Sequence, residues 1–289
     1  MARIDSLLAA GQCLSIEMWP PRNEASEARL ERALVELSAL RPAFISITYG
    51  AGGSTRERTH ELVVRLEQEV GVTAMAHLTC AAHAREELEL ILARYAEAGI
   101  ENILALRGDR PLAAEGPLED GELKNAVELV ELARETGSFC VAVAAHPQGH
   151  PEASDRESDR RRLAEKLRVA DFAITQFFFR LEDYLDLVEW LAAHGVDKPV
   201  IPGIMPITNA RTVRRMAELS GCALPQAIVD RVDAVADRPS DVRKIGVELA
   251  TELCQKLLAE GVPGLHIYTM NEAAATTEIL AHVGFAGHA

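Results

Sequence analysis

The chain has 289 residues, with 30 Lys and Arg against 44 Asp and Glu, giving a formal charge of −14. That balance argues against nucleic acid or an acidic membrane as the main partner, since both repel an acidic surface. Apolar residues make up 48% of the chain and aromatics 4%, so a large core carried by Ala, Leu and Val is expected and a disordered chain is excluded.

Short runs rich in Val, Ile, Phe and Thr recur along the chain and read as strands. In order they are Cys13 to Met18, Ala43 to Thr48, Thr73 to Leu78, Asn102 to Leu106, Phe139 to Ala144, Phe172 to Phe177, Pro199 to Gly203 and Gly264 to Tyr268. Segments of helical period lie between them. Leu30, Leu34, Leu37 and Leu40 step by three and four, as do Leu62, Leu66 and Val70. Further helices are expected over about Arg85 to Ala98, Leu123 to Thr136, Arg156 to Leu167 and Glu182 to His194. At least two more fall between Asn209 and Glu260, broken near Gly221, Pro225 and Pro239.

Strand–helix alternation implies parallel strands with crossover helices, and eight such units close into a barrel. The expected fold is one α/β domain over residues 1–289, a single (β/α)8 TIM-type barrel. No apolar run reaches the roughly 18 residues of a membrane span. The N-terminus lacks an apolar stretch of signal-peptide length, and the five cysteines are scattered without a C-x-x-C. A cytoplasmic protein with reduced thiols is the reading.

In such barrels chemistry sits at the carboxyl ends of the strands. Glu17 is the sharpest candidate. An acid inside an otherwise apolar first strand is partly desolvated, which favours its protonated form and suits a general acid; the alternative is a carboxylate paired inside the barrel. Asp109 follows Arg107-Gly108 after the fourth strand and either faces a ligand or caps the next turn. His77, Cys80 and His83 have a ligand-like spacing, but the alternation of a strand sends His77 and Cys80 to opposite faces, so no metal site is assigned. Gly50, Gly52 and Gly53 form a glycine-rich loop that is not a dinucleotide fingerprint. Arg160, Arg161 and Arg162, set among acids, read as a solvated helix face of mixed charge.

Several longer motifs, in register from about Leu14 to Asn271, resemble the methylenetetrahydrofolate reductase family. They are Ser15-Ile-Glu17-Met-Trp-Pro20-Pro21, Ile47-Thr48-Tyr-Gly-Ala-Gly-Gly-Ser-Thr-Arg-Glu-Arg-Thr59, Ala76-His77-Leu-Thr-Cys80, Asn102-Ile-Leu-Ala-Leu-Arg107-Gly-Asp109, His150-Pro-Glu152, Ala173-Ile-Thr-Gln176-Phe-Phe-Phe179 and Pro202-Gly-Ile-Met-Pro206. The resemblance is to the catalytic barrel, without the carboxy-terminal regulatory domain of animal and fungal members. It implies reduction of 5,10-methylenetetrahydrofolate to 5-methyltetrahydrofolate, with NADH or NADPH as hydride donor. It assigns Glu17 as general acid, Asp109 as electrostatic stabiliser of the iminium cation and Gln176 as pterin partner. Tyr49, His266 and Tyr268 are candidates for lining the folate site. Relatives commonly form dimers or larger assemblies, so a homo-oligomer is in keeping with the resemblance.

Family members usually relay the hydride through bound FAD. Thr48, His77, Arg107, His150, Asp159 and Lys166 match the family's FAD contacts. Asn125 and His146 stand where tyrosines are usual, Arg162 replaces an asparagine, and Glu165 replaces an arginine near the FAD diphosphate. Ala210 stands where a phenylalanine often stacks on substrate, and Glu272 where an arginine is common. An acid beside a diphosphate turns attraction into repulsion. The expectation is therefore a reductase without tightly bound FAD, passing hydride directly from NAD(P)H to the folate iminium. An FAD-dependent reductase with a modified site, a non-catalytic folate-binding barrel and a zinc-dependent barrel enzyme are the alternatives.

Overall fold

The computed structural model describes residues 2–50, 56–108 and 121–285. Asp109 and most of the glycine-rich loop lie outside the described residues. The strands are β1 (Cys13–Met18), β2 (Phe44–Ile47), β3 (Ala74–Thr79), β4 (Asn102–Leu106), β5 (Cys140–Ala145), β6 (Phe172–Thr175), β7 (Val200–Ile201), β8 (Gly203–Ile204) and β9 (Gly264–Tyr268). All pair in parallel, in the order β7-β6-β5-β4-β3-β2-β1-β9-β8.

The seventh expected strand is present as two pieces because Pro202, which has no N–H, interrupts its ladder. Val200–Ile201 pairs with β6, whereas Gly203–Ile204 pairs with β9. The Pro202 carbonyl still accepts the His266 N–H at 3.0 Å, and the Gly203 N–H donates to Thr175 Oγ1 at 2.8 Å. One broken strand thus joins both edges of the sheet, and the eight-position barrel closes.

Period-two alternation divides the strand residues between two cores. Leu14, Ile16, Ile45, Ile47, Ala76, Leu78, Ile103, Val141, Val143, Leu265 and Ile267 face outward into the main apolar cluster shared with the helices. Phe44, Met75, Leu104, Cys140, Ala142, Phe172, Ile174 and Ile201 face inward and fill the lower barrel.

The helices are α1 (Ile4–Ala10), α2 (Glu24–Ser38), α3 (Arg56–Arg65), α4 (Arg85–Glu97), α5 (Ala126–Thr136), α6 (Arg156–Val169), α7 (Leu181–Ala193), α8 (Ala210–Ser220), α9 (Gln226–Asp233), α10 (Pro239–Ala259) and α11 (Ala273–Val283). The sequence reading lacks α1 and α11. The first has only seven residues, too short to display a period. Its role is to plug the amino end of the barrel: Ile4 is fully buried in the inner cluster, and its N–H donates to Asn102 Oδ1 at 2.9 Å. Among the described residues no helix is long and apolar enough to cross a membrane.

The longest helix, α10, lies close to the loop after β8. A Cβ placed on Gly246 would meet the Ile207 carbonyl well inside contact distance. Gly246→Ala is therefore expected to destabilise the fold by more than about 2 kcal/mol, against the roughly 1 kcal/mol that alanine gains in an open helix. Thermal denaturation checks the sign.

Candidate functional site

The carboxyl end of the barrel opens into a cavity of about 1070 Å³. Glu17 reaches it because Ser15 and Glu17 both lie on the inner face of β1, opposite His266 and Tyr268 of β9. The turn after β9 locks this strand end. Thr269 Oγ1 donates to the Glu17 carbonyl at 2.7 Å. Asn271 accepts the Trp19 N–H at 2.8 Å and donates to the Trp19 carbonyl at 2.9 Å. To do so, Met270 and Asn271 adopt φ of 52° and 59°. That left-handed backbone costs about 1–2 kcal/mol per residue, which the hydrogen bonds offset.

The Glu17 carboxyl is 12% exposed, with His77 Nε2 and His266 Nε2 at 3.7 and 3.8 Å from the same oxygen, Oε2. Burial pushes the His77 imidazole down to about 4, against the opposing pull of Glu17. At neutral pH His77 is uncharged, so its approach to Glu17 is not an ion pair. Its Nε2 is buried without a hydrogen-bond partner. Tyr268 is held protonated by burial and by Glu17, and its hydroxyl donates to the Thr175 carbonyl at 2.6 Å.

Gln176, just past β6, also lines the cavity. Its side-chain oxygen accepts the Phe177 N–H at 3.0 Å, which leaves the amide NH2 for a ligand. Tyr49 lines the opposite wall, but its hydroxyl is engaged by His83 Nε2 at 3.1 Å. His83 in turn meets Glu87 Oε2 through Nδ1 at 2.8 Å, and Glu87 pairs with Arg56. His83 therefore supports the wall, and Cys80 Sγ faces the Arg107 carbonyl at 3.4 Å instead. The sequence signal for this support is the spacing of four between His83, just before the N-cap of α4, and Glu87 in its first turn.

The far wall comes from α6, whose N-terminus is capped by Asp155 accepting the Ser158 N–H at 2.7 Å. Helical spacing turns Asp159, Arg162, Glu165 and Lys166 toward the cavity, where Thr48, Arg107, His146, His150 and Glu152 join them. Lys166 Nζ donates to the Ala144 carbonyl at 2.6 Å. Burial lowers this ammonium to about 8, with Asp159 opposing the shift. Arg107 pairs with Glu152, and His150 Nδ1 accepts the Glu152 N–H at 3.1 Å. His146 packs edge-on against His150 with centroids 4.7 Å apart. Burial, then Lys166 and His150, push His146 down to about 3, so it too is neutral.

The three consecutive arginines do not form one solvated face, as the sequence suggests. Arg160 is buried against α7, bonding Asp186 at 2.6 Å. Arg161 is exposed and pairs with Glu157 one turn back, while Arg162 lines the cavity. A helix period of 3.6 separates neighbours by about 100°, which a run of like charge conceals. Asn125 caps α5, accepting the Val127 and Glu128 N–H groups at 2.9 and 3.2 Å.

A closed parallel barrel with a sheltered acid and converging polar groups at its carboxyl end defines a barrel enzyme acting on a small molecule. The family profile described as Methylenetetrahydrofolate reductase matches residues 3–284. A 5,10-methylenetetrahydrofolate reductase of Pectobacterium carotovorum is 36% identical over 272 residues, covering 94% of this chain and 90% of the relative. That of Escherichia coli K12 is 35% identical with the same coverage. Methylenetetrahydrofolate reductase 1 of Schizosaccharomyces pombe is 34% identical over 93% of this chain and 45% of its own length. Among solved structures, a Clostridium thermocellum protein described as binding two copies of 5-methyl-5,6,7,8-tetrahydrofolic acid superposes with a TM-score of 0.67 at 12% identity, covering 98% of each chain. Dihydropteroate synthase from Xanthomonas albilineans gives 0.51 at 15% identity, over 93% of this chain and 91% of its own. These two show the fold alone. The chain belongs to the methylenetetrahydrofolate reductase family, and this kinship supports methylenetetrahydrofolate reductase activity.

Proposed function

We propose that the protein reduces 5,10-methylenetetrahydrofolate to 5-methyltetrahydrofolate by hydride transfer directly from NAD(P)H, without tightly bound FAD. The observation that carries the reaction is Glu17, sheltered at the cavity floor between two imidazoles. Opening the methylene bridge leaves a 5-iminium cation and an amine at N10. Glu17 supplies the proton for N10, and the hydride's two electrons reduce the iminium carbon to a methyl group. His77 is neutral here, so it places no positive charge beside the carboxyl. The Gln176 amide orients the pterin. Asp109, outside the described residues, takes the stabilising role that the resemblance gives it.

Tightly bound FAD does not suit this donor set. A dianionic diphosphate needs uncompensated cations, as Arg or Lys groups supply them. Here Arg107 pairs with Glu152, the charge of Lys166 is offset by Asp159 and lost above about 8, and Glu165 sets a negative charge beside Arg162 on the same wall. A weak diphosphate contact fits a nicotinamide cofactor, which must leave at every turnover. Anaerobic NADH oxidation by methylenetetrahydrofolate, with and without added FAD, tests the reading.

A pH effect follows from Lys166. A base lowered to about 8 keeps its charge below that pH and loses it above. The KM for the anionic cofactor is expected to climb as pH rises through 8, and Lys166→Met should start high and remain flat. Initial rates in overlapping buffers check both.

A further inference from the structure

We infer that Ser15 and His266 are positioning residues that anchor one oxygen of Glu17 so that the other delivers the proton, an inference that rests on Glu17 being the proton donor. In the β1–β9 pairing Ser15 stands opposite His266, one inward-facing position below Glu17 and Tyr268. Ser15 is fully buried and His266 is 1% exposed, so the ring presents almost no surface to a ligand. Its polar atoms must find their partners inside the protein. Nδ1 lies 2.9 Å from Ser15 Oγ, and Nε2 faces Glu17 Oε2 at 3.8 Å. Phe44 stacks on the ring with centroids 6.3 Å apart and planes 24° apart, and Tyr268 meets it edge-on at 5.1 Å. The imidazole is therefore clamped on both sides in one orientation.

Ser15 has one hydroxyl proton and two acceptors in reach, His266 Nδ1 at 2.9 Å and the Leu265 carbonyl at 3.2 Å. Held by both, the hydroxyl fixes the plane of the ring, so Nε2 stays directed at Glu17. His77 Nε2 approaches the same Oε2 from β3. Both imidazoles approach Oε2, so proton delivery is assigned to Oε1. Contacts of this kind tighten when substrate binds. His266 lines the cavity, as the sequence reading expects, and its added role is exercised through Glu17.

Ser15→Ala removes a single buried oxygen and is the mildest test. It is expected to lower kcat about 10-fold and His266→Ala about 100-fold, a positioning loss rather than a binding loss. The KM for methylenetetrahydrofolate and the Kd for 5-methyltetrahydrofolate, read by calorimetry, should stay within about threefold. His266→Gln, whose side-chain amide can stand in for Nε2 as donor or acceptor, should recover part of the rate. In a Glu17→Gln background Ser15→Ala should cost nothing further, because the group it positions is gone. The inference is overturned if His266→Ala weakens 5-methyltetrahydrofolate binding while kcat holds. It is equally overturned if Ser15→Ala costs the same factor with and without Glu17. A Glu17→Gln enzyme at full rate would instead overturn the reading of Glu17 itself, whatever the Ser15 variant does.

Discussion

Glu17→Gln is expected to lower kcat for methylenetetrahydrofolate reduction by about 10²–10⁴-fold, the usual contribution of a general acid. The amide matches the carboxyl in shape and fits between His77 and His266 without a new charge, so the site should not rearrange. What it lacks is an acidic proton. The Kd for 5-methyltetrahydrofolate should therefore change by no more than about threefold, because product binding needs no proton transfer. Steady-state rates from NADH absorbance, with calorimetric binding of product, separate the two quantities. A variant that turns over at the original rate would remove Glu17 from the mechanism. A variant that loses rate and product affinity together would make Glu17 a folate-binding group.

The barrel was legible in the sequence because its strands are apolar runs with a period of two and its helices carry apolar stripes. Cys13–Met18, Asn102–Leu106 and Gly264–Tyr268 match the expected strands residue for residue. The split at Pro202 was not legible: a proline in an apolar run does not reveal that the two halves serve opposite neighbours. Glu17 stood out as an acid in an apolar strand, a purely local signal. Its surroundings are long-range. His266 and Thr269 meet it, and Asn271 meets Trp19, only because β1 and β9, some 250 residues apart in the chain, pair when the barrel closes. The hydroxyl of Tyr49 is likewise claimed by His83, 34 residues away. Side chains on α6 diverge in ways that composition hides, so Arg160 became a buried strut and Arg162 a cavity wall.

The purified protein is expected to show no stoichiometric flavin absorbance and to reduce methylenetetrahydrofolate with NADH in the absence of added FAD. The argument is electrostatic. A carboxylate about 5 Å from a phosphate, near water, opposes it by about 1 kcal/mol, and an arginine at that place would attract it by as much. Exchanging one for the other swings diphosphate affinity by about 2 kcal/mol, or roughly 30-fold. Glu165→Arg is therefore expected to tighten FAD binding by about 10- to 30-fold in a fluorescence titration. It should also lower the KM for NADH, since the same wall would meet either diphosphate. A tighter cofactor leaves more slowly, so kcat should fall if release limits turnover. Tight flavin in the native protein, or turnover that depends on added FAD, would refute direct transfer. A Glu165→Arg variant whose FAD affinity is unchanged would show that this wall does not meet the diphosphate, and the case against a flavin relay would lose its physical basis.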